Sequence, residues 1–132
     1  MTDSVFVDTS AIYALIDRDD AGHEPAAQAF RGLLDADLVT HAYVIVETAS
    51  LVRRRLGPEA TARFIDEFLP TLRVVPVDAD LHGTAVRAFR AAVDRSVSLI
   101  DWTSFTFMRA TGINTALALD SDFVTAGFRV VP

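Results

Sequence analysis

The amino-acid sequence predicts an α/β fold of three layers, α/β/α, in which a central parallel sheet of four or five strands is flanked by helices. Short apolar runs rich in β-branched residues alternate along the chain with longer amphipathic segments, which is the pattern of repeated βα units. The chain has 132 residues and 51% of them are hydrophobic, so it can bury a sizeable core. Because no linker, repeat or low-complexity tract interrupts the pattern, we treat residues 1–132 as a single domain.

The predicted strands are short apolar runs bounded by turn or cap residues, and they lie at residues 5–7, 38–40, 72–77, 113–119 and 128–131. The predicted helices have an apolar stripe with helical spacing, and they lie at residues 11–16, 24–34, 41–56, 58–68, 78–93 and 102–111, the last started by residues 98–101. Gly57 and Gly112 suit helix ends, and Ser10 suits the N-cap of the first helix. Asp8 has two possible roles, since its carboxylate either serves a functional site at the end of the first strand or simply caps the first helix.

The composition excludes several kinds of function. A net charge of −6 and a pI near 4.8 argue against broad, charge-driven binding of nucleic acid, although a local basic patch or a bound metal can reverse the field at one site. All twelve basic residues are arginine, so the lysine-dependent chemistry of P-loop nucleotide hydrolases and aspartyl-phosphate receivers is closed to the chain. The absence of cysteine excludes disulfides and thiolate metal sites. Without a membrane-spanning run or a signal-like leader, we expect a cytoplasmic protein with no membrane partner.

Four acidic residues interrupt apolar segments and have no basic residue within three positions: Asp8, Glu47, Asp101 and Asp120. Asp8 and Asp120 end predicted strands, whereas Glu47 and Asp101 lie early in predicted helices. In a parallel sheet, strand ends and helix starts meet at one edge, so we expect all four carboxylates to converge there. Several negative charges in one partly dry cleft require a divalent cation, and oxygen ligands favour Mg²⁺ or Mn²⁺. Asp122 is a possible fifth ligand. Such a site suits phosphodiester hydrolysis by metal-activated water.

Serine and arginine residues are the candidates for holding a substrate. Ser10 and Ser98 can donate hydrogen bonds to ligands or to a phosphate, and each can equally serve as a helix N-cap. Arginines that can contact phosphates or an acidic partner are Arg53, Arg54, Arg55, Arg87, Arg90 and Arg109. The three histidines have no metal-ligand spacing, and surface or capping roles are predicted for His23, His41 and His82.

Four segments of the chain together resemble a PIN domain: residues 7–11 (VDTSA), 44–47 (VIVE), 98–101 (SLID) and 118–123 (ALDSDF). The length and layout are most similar to the VapC ribonuclease toxins of bacterial toxin–antitoxin pairs. The resemblance implies a parallel sheet between helices, and it implies that Asp8, Glu47, Asp101 and Asp120 are the metal-binding, catalytic carboxylates. Some family members place the last acid two residues later, which here is Asp122.

The resemblance also implies an activity and partners. The activity is Mg²⁺- or Mn²⁺-dependent endonucleolytic cleavage of RNA, and the partners are a second copy in a homodimer and a cognate antitoxin that inhibits the enzyme in a hetero-oligomer. Two alternatives remain open, namely a housekeeping RNA-processing PIN nuclease and a catalytically silent binding module on the same scaffold. Transfer, ribosomal and messenger RNA are all open as the substrate.

Overall fold

The computed structural model describes residues 3–132 as five strands and seven α-helices that alternate along the chain. The strands are β1 (Ser4–Val7), β2 (Asp37–His41), β3 (Arg73–Val75), β4 (Thr115–Leu117) and β5 (Arg129–Val131). The helices are α1 (Thr9–Ile16), α2 (His23–Arg31), α3 (Ala42–Leu56), α4 (Pro58–Arg63), α5 (Ala79–Ala91), α6 (Leu99–Thr111) and α7 (Asp122–Thr125). The predicted α/β fold with a parallel sheet flanked by helices is confirmed.

All strand pairs are parallel, and the strand order is β3-β2-β1-β4-β5. The chain builds the sheet outward from β1 through β2 to β3, and it then returns to the other side of β1 to add β4 and β5. The strand order therefore reverses between β1 and β4. In open α/β sheets the crevice beyond the carboxyl ends of the strands at such a reversal is where ligands bind.

The central strand β1 supplies the middle of the core. Phe6 has no exposed surface, and its ring centroid lies 5.9 Å from that of Phe107 and 5.9 Å from that of Phe123. These partners come from α6 and α7, so one aromatic side chain joins the central strand to two helices. Because β1 is buried on both faces, it reads in the sequence as a continuous apolar run rather than an alternating one.

The structure changes several predicted boundaries. The predicted helix at 58–68 changes its winding after Arg63 into a π-helical turn (Phe64–Phe68) and a 3₁₀ turn (Leu69–Thr71). Helix α7 was not predicted, because four residues with a polar start carry no helical periodicity. The predicted strand at 72–77 is only Arg73–Val75, since β3 is an edge strand that ends before Pro76. No helix within residues 3–132 has the length and apolar character needed to cross a membrane.

Candidate active site

Asp8 follows the last residue of β1 and caps α1. Its backbone N–H donates to the carbonyl of Leu117 at 3.0 Å, which continues the pairing of β1 with β4. Its Oδ2 accepts from the backbone N–H of Ser10 at 3.1 Å and from the Ser10 hydroxyl at 2.7 Å. The predicted N-cap role of Ser10 is therefore wrong, because the Asp8 side chain occupies that position. Asp8 is only 4% exposed, so its carboxylate has lost most of its water.

Ser10 connects the two strands at the reversal of strand order. While its hydroxyl donates to Asp8, the same oxygen accepts from the backbone N–H of Leu119 at 3.0 Å. This contact fixes the chain just after β4, so the next residue, Asp120, is held beside the end of β1. The hydroxyl thereby sets the spacing between two of the candidate acids.

Asp101 and Asp120 are each held by local hydrogen bonds. Asp101 and Ser98 form a capping box at the start of α6, in which Asp101 Oδ2 accepts from the Ser98 N–H at 3.0 Å and Ser98 Oγ accepts from the Asp101 N–H at 3.1 Å. The N-cap alternative for Ser98 is thus confirmed. Asp120 Oδ1 accepts from the N–H of Asp122 at 3.1 Å. Neither aspartate can move far without breaking a turn or a helix start.

The aspartates repel one another. The pKa of Asp8 is raised to about 7, chiefly by burial and in addition by the negative charges of Asp120 and Asp101, while the hydrogen bonds from Ser10 oppose the shift. Burial and the charge of Asp101 also raise the pKa of Asp120 and of Asp122. Within residues 3–132, no ion pair neutralises this cluster. The arrangement therefore favours a bound cation or a proton.

The candidate acids open into one cleft of about 740 Å³ at the carboxyl edge of the sheet. Its lining residues are Asp8, Thr9, Ser10, Tyr43, Val46, Glu47, Ser50, Leu51, Arg54, Ser98, Ile100, Asp101 and Asp120. Glu47 reaches the cleft from α3 but is not among the charges that raise the pKa of Asp8 or Asp120. All four acids therefore line one cleft, as predicted, and the charges of Asp8, Asp101 and Asp120 are the ones that act on one another.

Two predicted site residues lie outside this lining. Asp122 is the first residue of α7, where its N–H supports Asp120. Arg109 lies in the last turn of α6, where its guanidinium donates to the carbonyl of Ala126 at 3.0 Å and lies 5.3 Å from the ring centroid of Phe128. The structure thus places Arg109 against the segment between α7 and β5 rather than at the cleft, and its substrate-binding role remains a prediction without support from the geometry.

The oxygen donors of the cleft suit Mg²⁺ or Mn²⁺ better than zinc. Asp8 and Asp101 each use Oδ2 for hydrogen bonds to the chain, which leaves Oδ1 available to a ligand. Among residues 3–132, no three acidic or histidine side chains lie close enough to contact one ion together. Magnesium keeps several of its waters and needs only one or two direct carboxylate ligands, so the residues fit a hydrated divalent cation.

Tyr43 was not singled out from the sequence, whereas Arg54 was named among the arginines that can contact phosphates and His41 was given a surface or capping role. Tyr43 and Arg54 line the cleft from α3, and His41 caps α3 from a position with no exposed surface. Of the surface or capping roles predicted for His41, the capping role is confirmed, and the residue is buried. A signal was present in the sequence, because His41 follows the run 38–40 as Asp8 follows the run 5–7. The sequence also carried a signal for Tyr43 and Arg54. They lie four residues before and seven residues after Glu47, which places them on the same face of a helix as Glu47.

A parallel sheet whose strand-order reversal gathers one buried aspartate, Asp8, and the partly buried Asp101 and Asp120 defines an α/β protein with an acidic, cation-attracting cleft. The chain belongs to the PIN domain family, whose model matches residues 5–129. It is 38% identical over 125 residues to the 23S rRNA-specific endonuclease VapC20 of Mycobacterium tuberculosis, covering 94% of this chain and 95% of that protein.

Solved structures agree with this assignment. The crystal structure of M. tuberculosis VapC20, described as a toxin that cleaves the sarcin–ricin loop, matches with a TM-score of 0.85 at 36% identity, over 97% of this chain and 99% of that one. FitAcB from Neisseria gonorrhoeae matches with a TM-score of 0.70 at 17% identity, over 97% of this chain and 96% of that one. The second likeness supports the fold alone.

Proposed function

We propose that this protein is a metal-dependent endoribonuclease. The observation that carries the proposal is the set of three mutually repelling aspartates, Asp8, Asp101 and Asp120, that open into one cleft without a compensating ion pair among residues 3–132. A buried carboxylate with a pKa raised to about 7 is costly to the fold, and its cost falls when a cation binds. Similarity to an endonuclease over 94% of the chain supports the same activity.

The proposed roles follow from how each side chain is held. A bound Mg²⁺ or Mn²⁺ supplies activation of water and stabilisation of the leaving oxygen. Asp8 and Asp101 would hold such a cation, because Ser10 and the capping box engage Oδ2 of each and leave the other oxygen free. Asp120 adds negative charge from the segment after β4, and Glu47 would orient a water molecule from α3. Asp122 acts through Asp120, to which its N–H donates.

We further propose that the enzyme is the toxin of a toxin–antitoxin pair, that it acts as a homodimer, and that a cognate antitoxin inhibits it. The support is the similarity to VapC20, which is described as a toxin. That relative is described as specific for 23S rRNA, so we propose ribosomal RNA, within the cytoplasm, as the target. A housekeeping RNA-processing role remains the alternative, and growth arrest on expression without an antitoxin distinguishes the toxin from it.

The test is cleavage of intact ribosomes and of total RNA by the purified protein in Mg²⁺, in Mn²⁺ and in EDTA. We expect discrete fragments that require a metal and that disappear with Asp101→Asn. Asp66→Asn is the matched control, because Asp66 is an exposed acid outside the cleft. Absence of cleavage by folded protein, together with an unchanged melting temperature in Mn²⁺, would overturn the nuclease proposal and favour a binding module.

A further inference from the structure

One face of α3 forms a continuous wall of the cleft. Residues at the spacing i, i+4, i+7 and i+11 lie on one side of a helix, and we call this set the α3 strip: Tyr43, Glu47, Ser50 and Arg54. All four line the same cleft as the aspartates. Eleven residues of helix span about 16 Å, so the strip presents an aromatic ring and a guanidinium at two well separated points.

The ring of Tyr43 is held in place although it is only partly buried. Its hydroxyl is hydrogen-bonded to Nδ1 of His82 on α5 at 2.7 Å. The ring meets the imidazoles of His41 and His82 edge to face, with centroids 5.9 Å apart in each pair and interplanar angles of 88° and 86°. An aromatic ring fixed in this way loses little conformational entropy when a ligand packs on it.

Arg54 is the basic residue among the cleft-lining residues. Its neighbours in the arginine run are placed differently, because Arg55 lies over the ring of Tyr13 at 5.3 Å from its centroid and Arg53 does not line the cleft. A cleft with one cation and several acids cannot attract a nucleic acid by charge alone. A substrate must therefore gain part of its affinity from contacts other than phosphates.

We propose that the α3 strip binds an unpaired stretch of RNA, with a base stacked on Tyr43 and a backbone phosphate held by Arg54. The proposal rests on the proposed nuclease function and names the form of RNA that this site accepts. Base faces are hidden within a duplex, so stacking on a fixed ring selects a single strand or a loop. Because Glu47 lies between the two contacts on the strip, the RNA backbone then passes beside the candidate acids.

The test measures binding separately from cleavage. In an Asp101→Asn background with Mg²⁺, binding of a fluorescein-labelled 12-nucleotide RNA without self-pairing is compared with binding of its duplex by anisotropy. We expect the single strand to bind more tightly, and we expect Tyr43→Ala to raise Kd about tenfold, the scale of one stacked base. Arg54→Ala should also raise Kd, because it removes a charged contact with a phosphate. Tyr43→Phe should keep most of the affinity, and Arg53→Ala is the matched control that should leave Kd unchanged.

A scan of the RNA locates the contacts. An abasic position at the stacked nucleotide should remove the effect of Tyr43→Ala, and an uncharged phosphate analogue at a different nucleotide should remove the effect of Arg54→Ala. Equal binding of the duplex, no measurable binding of the single strand, or unchanged Kd in both alanine variants would overturn the proposal. Cleavage by the unmodified enzyme is scored separately, so an active nuclease with an inert strip and an inactive protein with a functional strip are distinct results.

Discussion

The ends of the neighbouring strands β1 and β2 carry two side chains with the same local role and opposite chemistry. Asp8 follows β1 and caps α1, whereas His41 ends β2 and caps α3. Both are buried, with 4% and 0% of their surface exposed. Burial disfavours the charged form of each, and it therefore raises the pKa of Asp8 to about 7 and lowers the pKa of His41 to about 4.

The two junctions differ in what surrounds the cap. Nδ1 of His41 accepts from the N–H of Val44 at 3.4 Å, so Nε2 carries the proton and donates to Ser104 Oγ at 2.9 Å, and that hydroxyl donates to the carbonyl of Ile100 at 3.0 Å. Both ring nitrogens of His41 are thereby satisfied in its neutral form. Asp8 has an oxygen left over and faces two other carboxylates. The junction at His41 is therefore fully hydrogen-bonded and joins α3 to α6, while the junction at Asp8 keeps an oxygen free for a ligand.

The largest effect should come from replacing Asp8, the cap residue that keeps an oxygen free for a ligand. We expect Asp8→Asn to reduce metal-dependent RNA cleavage by about 100-fold or more, since even residues one shell beyond a metal cost 10–100-fold. The same change should leave the metal-free protein equally or more stable at pH 8, because a neutral amide replaces a buried charge. Cleavage rates and urea unfolding in EDTA measure the two effects. A loss of stability equal to that of His41→Asn would show that the two caps are equivalent.

The pH dependence of stability should have opposite signs at the two junctions in the metal-free protein. The folded pKa of Asp8 is raised, so its contribution to the free energy of unfolding is largest below pH 4 and falls by about 4 kcal/mol as the pH rises to 7. The folded pKa of His41 is lowered, so its contribution rises by about 3 kcal/mol between pH 4 and 6.5.

The check is the difference between the unfolding free energies of the parent protein and each variant across this range. Subtracting Asp8→Asn from the parent should give a curve that descends with pH, and subtracting His41→Asn should give one that ascends. Curves of the same sign would contradict the contrast between an acid and a base buried in equivalent positions.

The smallest effect should come from removing the hydrogen bond between His41 and Ser104, which joins α3 to α6. We expect Ser104→Ala to lower the free energy of unfolding by about 1–2 kcal/mol, because it leaves the Nε2–H of His41 buried without an acceptor. Thr106→Ala is the matched control on the same helix, since its hydroxyl donates only to the Trp102 carbonyl one turn back and should cost less. Thermal unfolding of both variants in EDTA compares them, and equal losses would remove the role assigned to Ser104.

The sequence by itself determined the type of fold and which acids to consider. Apolar runs of three to seven residues between amphipathic segments predict buried parallel strands, because this pattern depends only on neighbouring residues. Asp8, Asp101 and Asp120 could be selected because a carboxylate within an apolar segment is costly wherever the segment packs. Similarly, Ser98 could be read as a helix cap from its neighbours alone.

Only the tertiary structure decided how these residues meet. Asp120 rather than Asp122 lines the cleft because Ser10, which is distant in sequence, binds the chain at Leu119. The spacing of Arg54 from Glu47 is consistent with its place at the cleft, but nothing local to Arg109 indicates that its guanidinium donates to the distant Ala126 carbonyl instead. Local sequence fixes which element forms and where its caps lie. The direction of a side chain and the charges around it depend on segments that come together only when the sheet assembles.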